Sequence, residues 1–126
     1  MTEKEKYQFE ELSNKVIGAA IKVHKELGPG FLENIYEEAL KIELSANAIH
    51  YDSQKEIKIE YPGVKVGVHR IDLIAENEII LGLQSVKNLA DIHFIRIRSC
   101  LEATGLKLGL LLNFAKPVLK IKRVVN

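Results

Sequence analysis

The chain has 126 residues, 47% of them hydrophobic, and a net charge of +1. That length predicts one domain with enough apolar residues for a core, and the near-neutral balance excludes a protein that works through bulk charge alone. The single cysteine, Cys100, excludes an internal disulfide and a cysteine-rich zinc site.

The charge is uneven. Residues 1–60 carry 8 Lys/Arg and 12 Asp/Glu, and residues 61–126 carry 10 and 5. The basic half mildly favours a phosphate-bearing ligand, although ordinary solvated charges explain it equally well. The charged start, MTEKEKYQFEEL, lacks the apolar stretch of a secretory signal. No apolar run is long enough to span a membrane. A cytoplasmic protein with no membrane contact is expected.

In chain order, Thr2 and Glu5 have capping-box spacing. Phe9, Leu12, Val16, Ala19, Ala20, Val23 and Leu27 then follow helical spacing, and Gly28-Pro29-Gly30 ends that helix. A second helix is predicted from near Phe31 to about Ala46, with Glu33 in its first turn, where the helix dipole favours a carboxylate. Glu56 to Tyr61 alternates as a strand, and Pro62-Gly63 signals a turn. Val64, Val66 and Val68 lead into Arg70 and Asp72. Leu89 to Thr104 reads as a helix with His93, Arg96, Ile97 and Cys100 on one face. Leu106 to Phe114 is an apolar strand, and Val118 to Val125 a last, edge strand after Pro117. Two helices, three strands, a helix and two strands predict an α/β fold with a mixed central sheet flanked by helices.

The stretch His69 to Lys87 carries the functional signal. Arg70–Ala75 and Ile79–Ser85 read as a buried hairpin joined by a turn at 76–78, apolar on both parities and so covered on both faces. Asp72 is the exception, a carboxylate inside an apolar run. Such a charge needs a partner or a metal, and the plain alternative is an ion pair with Arg70. With a three-residue turn, Ala75 faces Ile79, Asp72 faces Gly82, and Gln84 lies further along the same face. In a metal-dependent nuclease these positions would hold Asp, Glu and Lys: two carboxylates for magnesium, and a lysine for the attacking hydroxide and the phosphate charge. The second carboxylate and the lysine are absent. Lys87 is expected on the face opposite Gln84.

Gly30-Phe-Leu-Glu33-Asn-Ile-Tyr36 reads as G-x-x-E-x-x-Y. Val66-Gly-Val-His-Arg70-Ile-Asp72-Leu, Gly105-Leu-Lys-Leu-Gly109-Leu-Leu-Leu-Asn113-Phe114 and Lys120-Ile-Lys-Arg123-Val-Val follow in order. On these blocks the chain resembles the GxxExxY family, a small branch of the PD-(D/E)XK nuclease-like superfamily, over nearly its whole length. The resemblance implies one restriction-endonuclease-like domain over residues 1–126. It places the motif glutamate on Glu33 and the sheet aspartate on Asp72. The E-x-K pair falls on Gly82 and Gln84, and a helix glutamine on Arg96; all three depart from the family pattern.

Loss of one preorganised charged donor costs on the order of 10²–10³ in rate, so losing both the Glu and the Lys should nearly silence cleavage. The expected function is a catalytically degenerate nuclease-like domain that binds nucleic acid or a protein partner. One alternative is a weak magnesium-dependent DNA nuclease using Glu33, Asp72 and Gln84, with the ion on Asp72 and Glu33. Another is a structural or regulatory subunit that binds no nucleic acid; the partners expected across these readings are nucleic acid, a protein partner or a second copy in a homodimer. His93 and Arg96, on one helical face, and Arg98, pointing elsewhere, are the candidate phosphate ligands, since arginine offers two parallel donors. The competing role for Arg96 is pairing with Asp72 or Glu33 in place of a metal.

Overall fold

The computed structural model describes residues 2–126. Helix α1 (Glu3–Leu27) packs against helix α2 (Glu33–Ala46). Strands β1 (Tyr51–Glu60), β2 (Lys65–Ala75) and β3 (Ile79–Gln84) follow, then helix α3 (Asp91–Thr104) and strands β4 (Leu108–Asn113) and β5 (Lys120–Val125). The five strands form one sheet in chain order. Every neighbouring pair is antiparallel except β3 and β4, which are parallel and joined through α3. A parallel pair needs such a crossover. The mixed sheet flanked by helices is the expected architecture.

The helices cover both faces. Leu73, Leu81, Leu83, Leu110 and Leu112 belong to one core with Val16, Ala20 and Val23 of α1 and Tyr36, Leu40 and Leu44 of α2. Ile74, Ile80 and Leu111 belong to a second core with Ile97, Cys100 and Leu101 of α3. The double-parity apolar pattern of the hairpin therefore reflects two cores, one on each side. Cys100 is a buried free thiol within the second.

Local chemistry sets most boundaries. Thr2 accepts the Glu5 backbone N–H at 3.1 Å, the predicted cap of α1. Leu32 holds an extended backbone, so α2 starts at Glu33, two residues later than the spacing predicts. The turn after β2 spans Glu76 to Glu78, with positive φ at Glu76 and Asn77 and the Glu78 N–H donating to Ala75 O at 2.9 Å. Ala75 pairs with Ile79, as the hairpin register predicts.

Other boundaries differ from expectation. β1 begins at Tyr51 instead of Glu56, because Tyr51 to Ser53 pair with Leu73 to Ala75 of the central strand. The polar segment Tyr51-Asp-Ser-Gln-Lys55 shows no alternation, and tertiary pairing overrides its weak propensity. α3 begins at Asp91, β4 is shorter than predicted at both ends, and β5 starts two residues later than predicted and ends at Val125 as expected. Lys87 lies beyond the end of β3, so strand parity does not fix its direction.

Candidate active site

The pairing of β1 with β2 is irregular at two places, one near its end at Ile59 and Glu60 and one beside Asp72. Ser53 pairs with Leu73 and Lys55 with Ile71, while the rung between them, Gln54 and Asp72, is missing. Gln54 has φ +52, a conformation that L residues other than Asn, Asp and Gly rarely adopt. Along β2, Ile71 and Ile74 both pack in the α3-side core although they are three residues apart. Strict alternation therefore slips between them, at Asp72.

The β2–β3 ladder also ends here. Its last rung is Leu73 with Leu81, and the next would oppose Asp72 and Gly82. Instead the Leu83 N–H donates to Asp72 Oδ2 at 3.1 Å. The Asp72 side chain thus takes a backbone donor of β3. The strands diverge beyond this point, and the fork opens a cleft of about 190 Å³ beneath α3. From β2 it is lined by His69, Arg70 and Asp72, from β3 by Gly82 and Gln84, and from α3 by His93, Arg96 and Ile97.

Asp72, Gly82 and Gln84, which the hairpin register groups, and His93 and Arg96, which share a face of the helix, line one cleft. Arg98 is exposed and does not line it. Glu33 is also outside the lining. Its Oε1 accepts the Ser85 N–H at 3.4 Å, and Ser85 Oγ donates to Phe31 O at 2.8 Å. The G-x-x-E-x-x-Y segment is thus a clamp on the exit of β3. Tyr36 completes it from within the core: its hydroxyl donates to Gly28 O at 2.7 Å, and its ring stacks on Phe114 at 4.4 Å.

Two expected ion pairs are absent among the described residues. Arg70 pairs with Glu56 of β1 at 3.2 Å rather than with Asp72. Arg96 pairs with neither Asp72 nor Glu33. It is exposed on α3, where a long charged side chain keeps its head in water.

The electrostatics follow from this burial. Desolvation pushes the Asp72 carboxyl above its ordinary range, the Leu83 N–H pulls it back, and the Glu33 charge raises it again. His69 and the Gln54 amide act with Leu83 to lower it. Desolvation also raises Glu37, and the Asp72 charge adds to that. Gln54 Nε2 donates to Glu37 Oε1 at 2.9 Å, so this amide sits beside both carboxyls. Glu37, Gln54 and His69 are neighbours of Asp72 that sequence reasoning missed. His69 was legible as the residue three before Asp72; the irregular backbone that brings in Gln54 leaves no signal in the composition.

His93 has one ring nitrogen committed. Its Nδ1 accepts the Ala90 N–H at 2.9 Å at the start of α3. The neutral ring then carries its proton on Nε2, which remains a donor.

Gly82 is closed to a side chain. A Cβ there would lie 2.8 Å from Ile97 Cδ1 and 3.3 Å from its Cγ1. Ile97 also presses its Cγ2 against Gly109 on β4. One isoleucine therefore fills a notch made by two glycines on adjacent strands. This is the space from which a carboxylate at position 82 would emerge.

The donor set does not fit a two-carboxylate magnesium site. Gly82 offers no ligand, Asp72 Oδ2 and Glu33 Oε1 each accept a backbone N–H, and no group of three or more His, Cys, Asp and Glu side chains among the described residues could hold an ion. What the cleft does offer is a half-buried acid beside His69, Arg70, His93 and Arg96, a rim rich in donors for phosphate oxygens.

No curated protein matches the chain. Among solved structures, the crystal structure of SSO0001 superimposes with a TM-score of 0.58 at 20% identity, covering 74% of this chain and 49% of the other. The chain thus spans about half the length of that protein, and the likeness concerns the fold. A profile of the PD-(D/E)XK nuclease superfamily matches residues 10–124, from the first turns of α1 to the end of β5. The match takes in the forked sheet, Asp72 at the fork and Glu33 on the neighbouring helix, and the chain belongs to the PD-(D/E)XK nuclease superfamily.

Proposed function

We propose that the chain is a GxxExxY-type nuclease-like domain that holds nucleic acid in the cleft beneath α3 and does not cleave it efficiently. The observation that carries this reading is Ile97 in the Gly82–Gly109 notch. Packing has taken over the position where the superfamily pattern places its second carboxylate. Gln84 stands where the pattern places a lysine, and it brings no positive charge to a developing phosphate charge. The binding half rests on Arg96 and His93, which face the cleft without an ion-pair partner among the described residues. A cytoplasmic setting is part of the proposal, since Cys100 is a free thiol and no helix among the described residues is long and apolar enough to cross a membrane.

Binding is tested by fluorescence anisotropy with a short DNA duplex and with an RNA duplex over a series of salt concentrations. Affinity should fall steeply with salt, because phosphate contacts release counterions. Arg96→Ala should weaken it about 3- to 10-fold and reduce the salt slope by about one. Absence of binding at low salt, or binding indifferent to salt, would refute this half of the reading.

A further inference from the structure

β1 is an edge strand, and its outer side has no partner strand among the described residues. An unpaired edge is a template for another strand. Past the irregularity at Gln54 it reads Lys55-Glu-Ile-Lys-Ile-Glu60. Laid antiparallel against itself about Ile57, this segment is self-complementary. Ile57 opposes Ile57, and Glu56 opposes Lys58 of the second copy, as Lys58 opposes its Glu56. Shifting the register by two residues puts Glu56 against Glu56 in one direction and Lys58 against Lys58 in the other. Like charges directly opposite destabilise a pair and opposite charges stabilise it, so charge disfavours both two-residue shifts; the next shift, about Ile59, also sets Lys58 against Glu60 but centres on the irregularity at Ile59 and Glu60, which leaves the register about Ile57.

Two features of the fold extend the match. Glu56 already pairs with Arg70 on β2 at 3.2 Å. The joined sheet would therefore carry a row of Arg70, Glu56 and Lys58 of the second copy, repeated by the two-fold axis. On the other face, Ile57 and Ile59 line an apolar groove of about 450 Å³ closed by Val66 and Val68 of β2 and Ile95 of α3. Side chains directly opposite in an antiparallel pair share a face. Pairing about Ile57 therefore puts both grooves on the same side, meeting at the two Ile57 side chains. We propose that two copies of this chain associate through antiparallel pairing of their β1 strands centred on Ile57, making one continuous sheet across both. Lys55 and Lys58 discourage foreign strands at this edge, while their alternation with Glu56 and Glu60 admits the strand's own copy. The paired segment is short, so the dimer belongs to the small, transient class of interfaces.

The test is sedimentation velocity over a concentration series from micromolar to about millimolar, with circular dichroism to check each fold. The wild-type chain should shift from monomer to dimer. Glu56→Lys and Lys58→Glu should each weaken the dimer at least about tenfold, since each turns both charged rungs from attractive to repulsive. An equimolar mixture of the two variants should recover association, because the two introduced side chains then face each other with opposite charge. The double variant Glu56→Lys with Lys58→Glu should recover it alone. A chain that stays monomeric throughout would overturn the proposal. So would a dimer that ignores the single changes, or one that neither the mixture nor the double variant restores.

Discussion

Asp72 takes its main partner from the backbone of β3, and this decides how its charge behaves. The folded protein holds the Asp72 proton more tightly than the unfolded chain does, chiefly because the carboxyl is half-buried. A carboxyl raised in the folded state contributes most below its ordinary value of about 3.8, and that contribution is lost as pH rises through the raised value. Asp72→Asn keeps an acceptor for Leu83 and removes the charge. Its urea midpoint should therefore exceed that of the wild type near neutral pH, with the gap closing on acidification; a gap that opens on acidification would contradict this. Glu37 is raised for the same first reason, so a smaller pH dependence of the same sign should persist in the variant.

Gly82 makes a second prediction at this scale. Gly82→Ala brings a methyl within 2.8 Å of Ile97 Cδ1 and 3.3 Å of its Cγ1, so Ile97 must shift in a notch where its Cγ2 already lies over Gly109. The expected cost is about 1–3 kcal/mol. Ile97→Val removes the nearest atom and alone should cost about 0.5–1.5 kcal/mol. The pair should cost less than the sum, with a coupling of about 1 kcal/mol by denaturant titration. Additive costs would mean that the notch is looser than its geometry indicates. Gly82→Glu with Gln84→Lys is accordingly not a plain restoration of a nuclease site, because it needs relief at Ile97 as well.

Among the elements, the segment from β3 to α3 positions the cleft, and Asn113 holds it. This buried residue of β4 accepts the Val86 N–H at 3.1 Å and the Ala115 N–H at 3.2 Å, and donates to Val86 O at 2.9 Å. Asn113→Leu would leave those groups unpaired and should cost about 2–4 kcal/mol, read as a lower urea midpoint. A neutral effect would mean that water reaches the loop.

The elements also show what the sequence reveals and what it hides. The hairpin register was legible because its apolar strands leave only residues 76–78 for a turn, which fixes Ala75 opposite Ile79. The grouping of Asp72, Gly82 and Gln84 follows from that register. The slip at Gln54 was not legible, since a strained backbone is imposed by tertiary packing and not by residue type. Nor was the fork itself, because nothing in the sequence of β2 says that Asp72 will take the Leu83 N–H. Glu33 could be placed on α2, but its partner Ser85 lies 52 residues away and is joined to it only by the fold.

At the scale of the whole molecule, two helices on one face and one on the other hold a five-stranded sheet whose central pair forks at an acid. In this chain the fork holds Asp72, carries the donors of Arg96 and His93 on its rim, and closes the neighbouring position with Ile97. The central claim is that this site binds phosphates without cutting between them. The most direct measurement is nicking of supercoiled plasmid by the wild-type chain in magnesium and in manganese, beside Asp72→Ala. The account predicts that the two proteins leave the plasmid equally intact. Cleavage by the wild type that disappears in Asp72→Ala would contradict it.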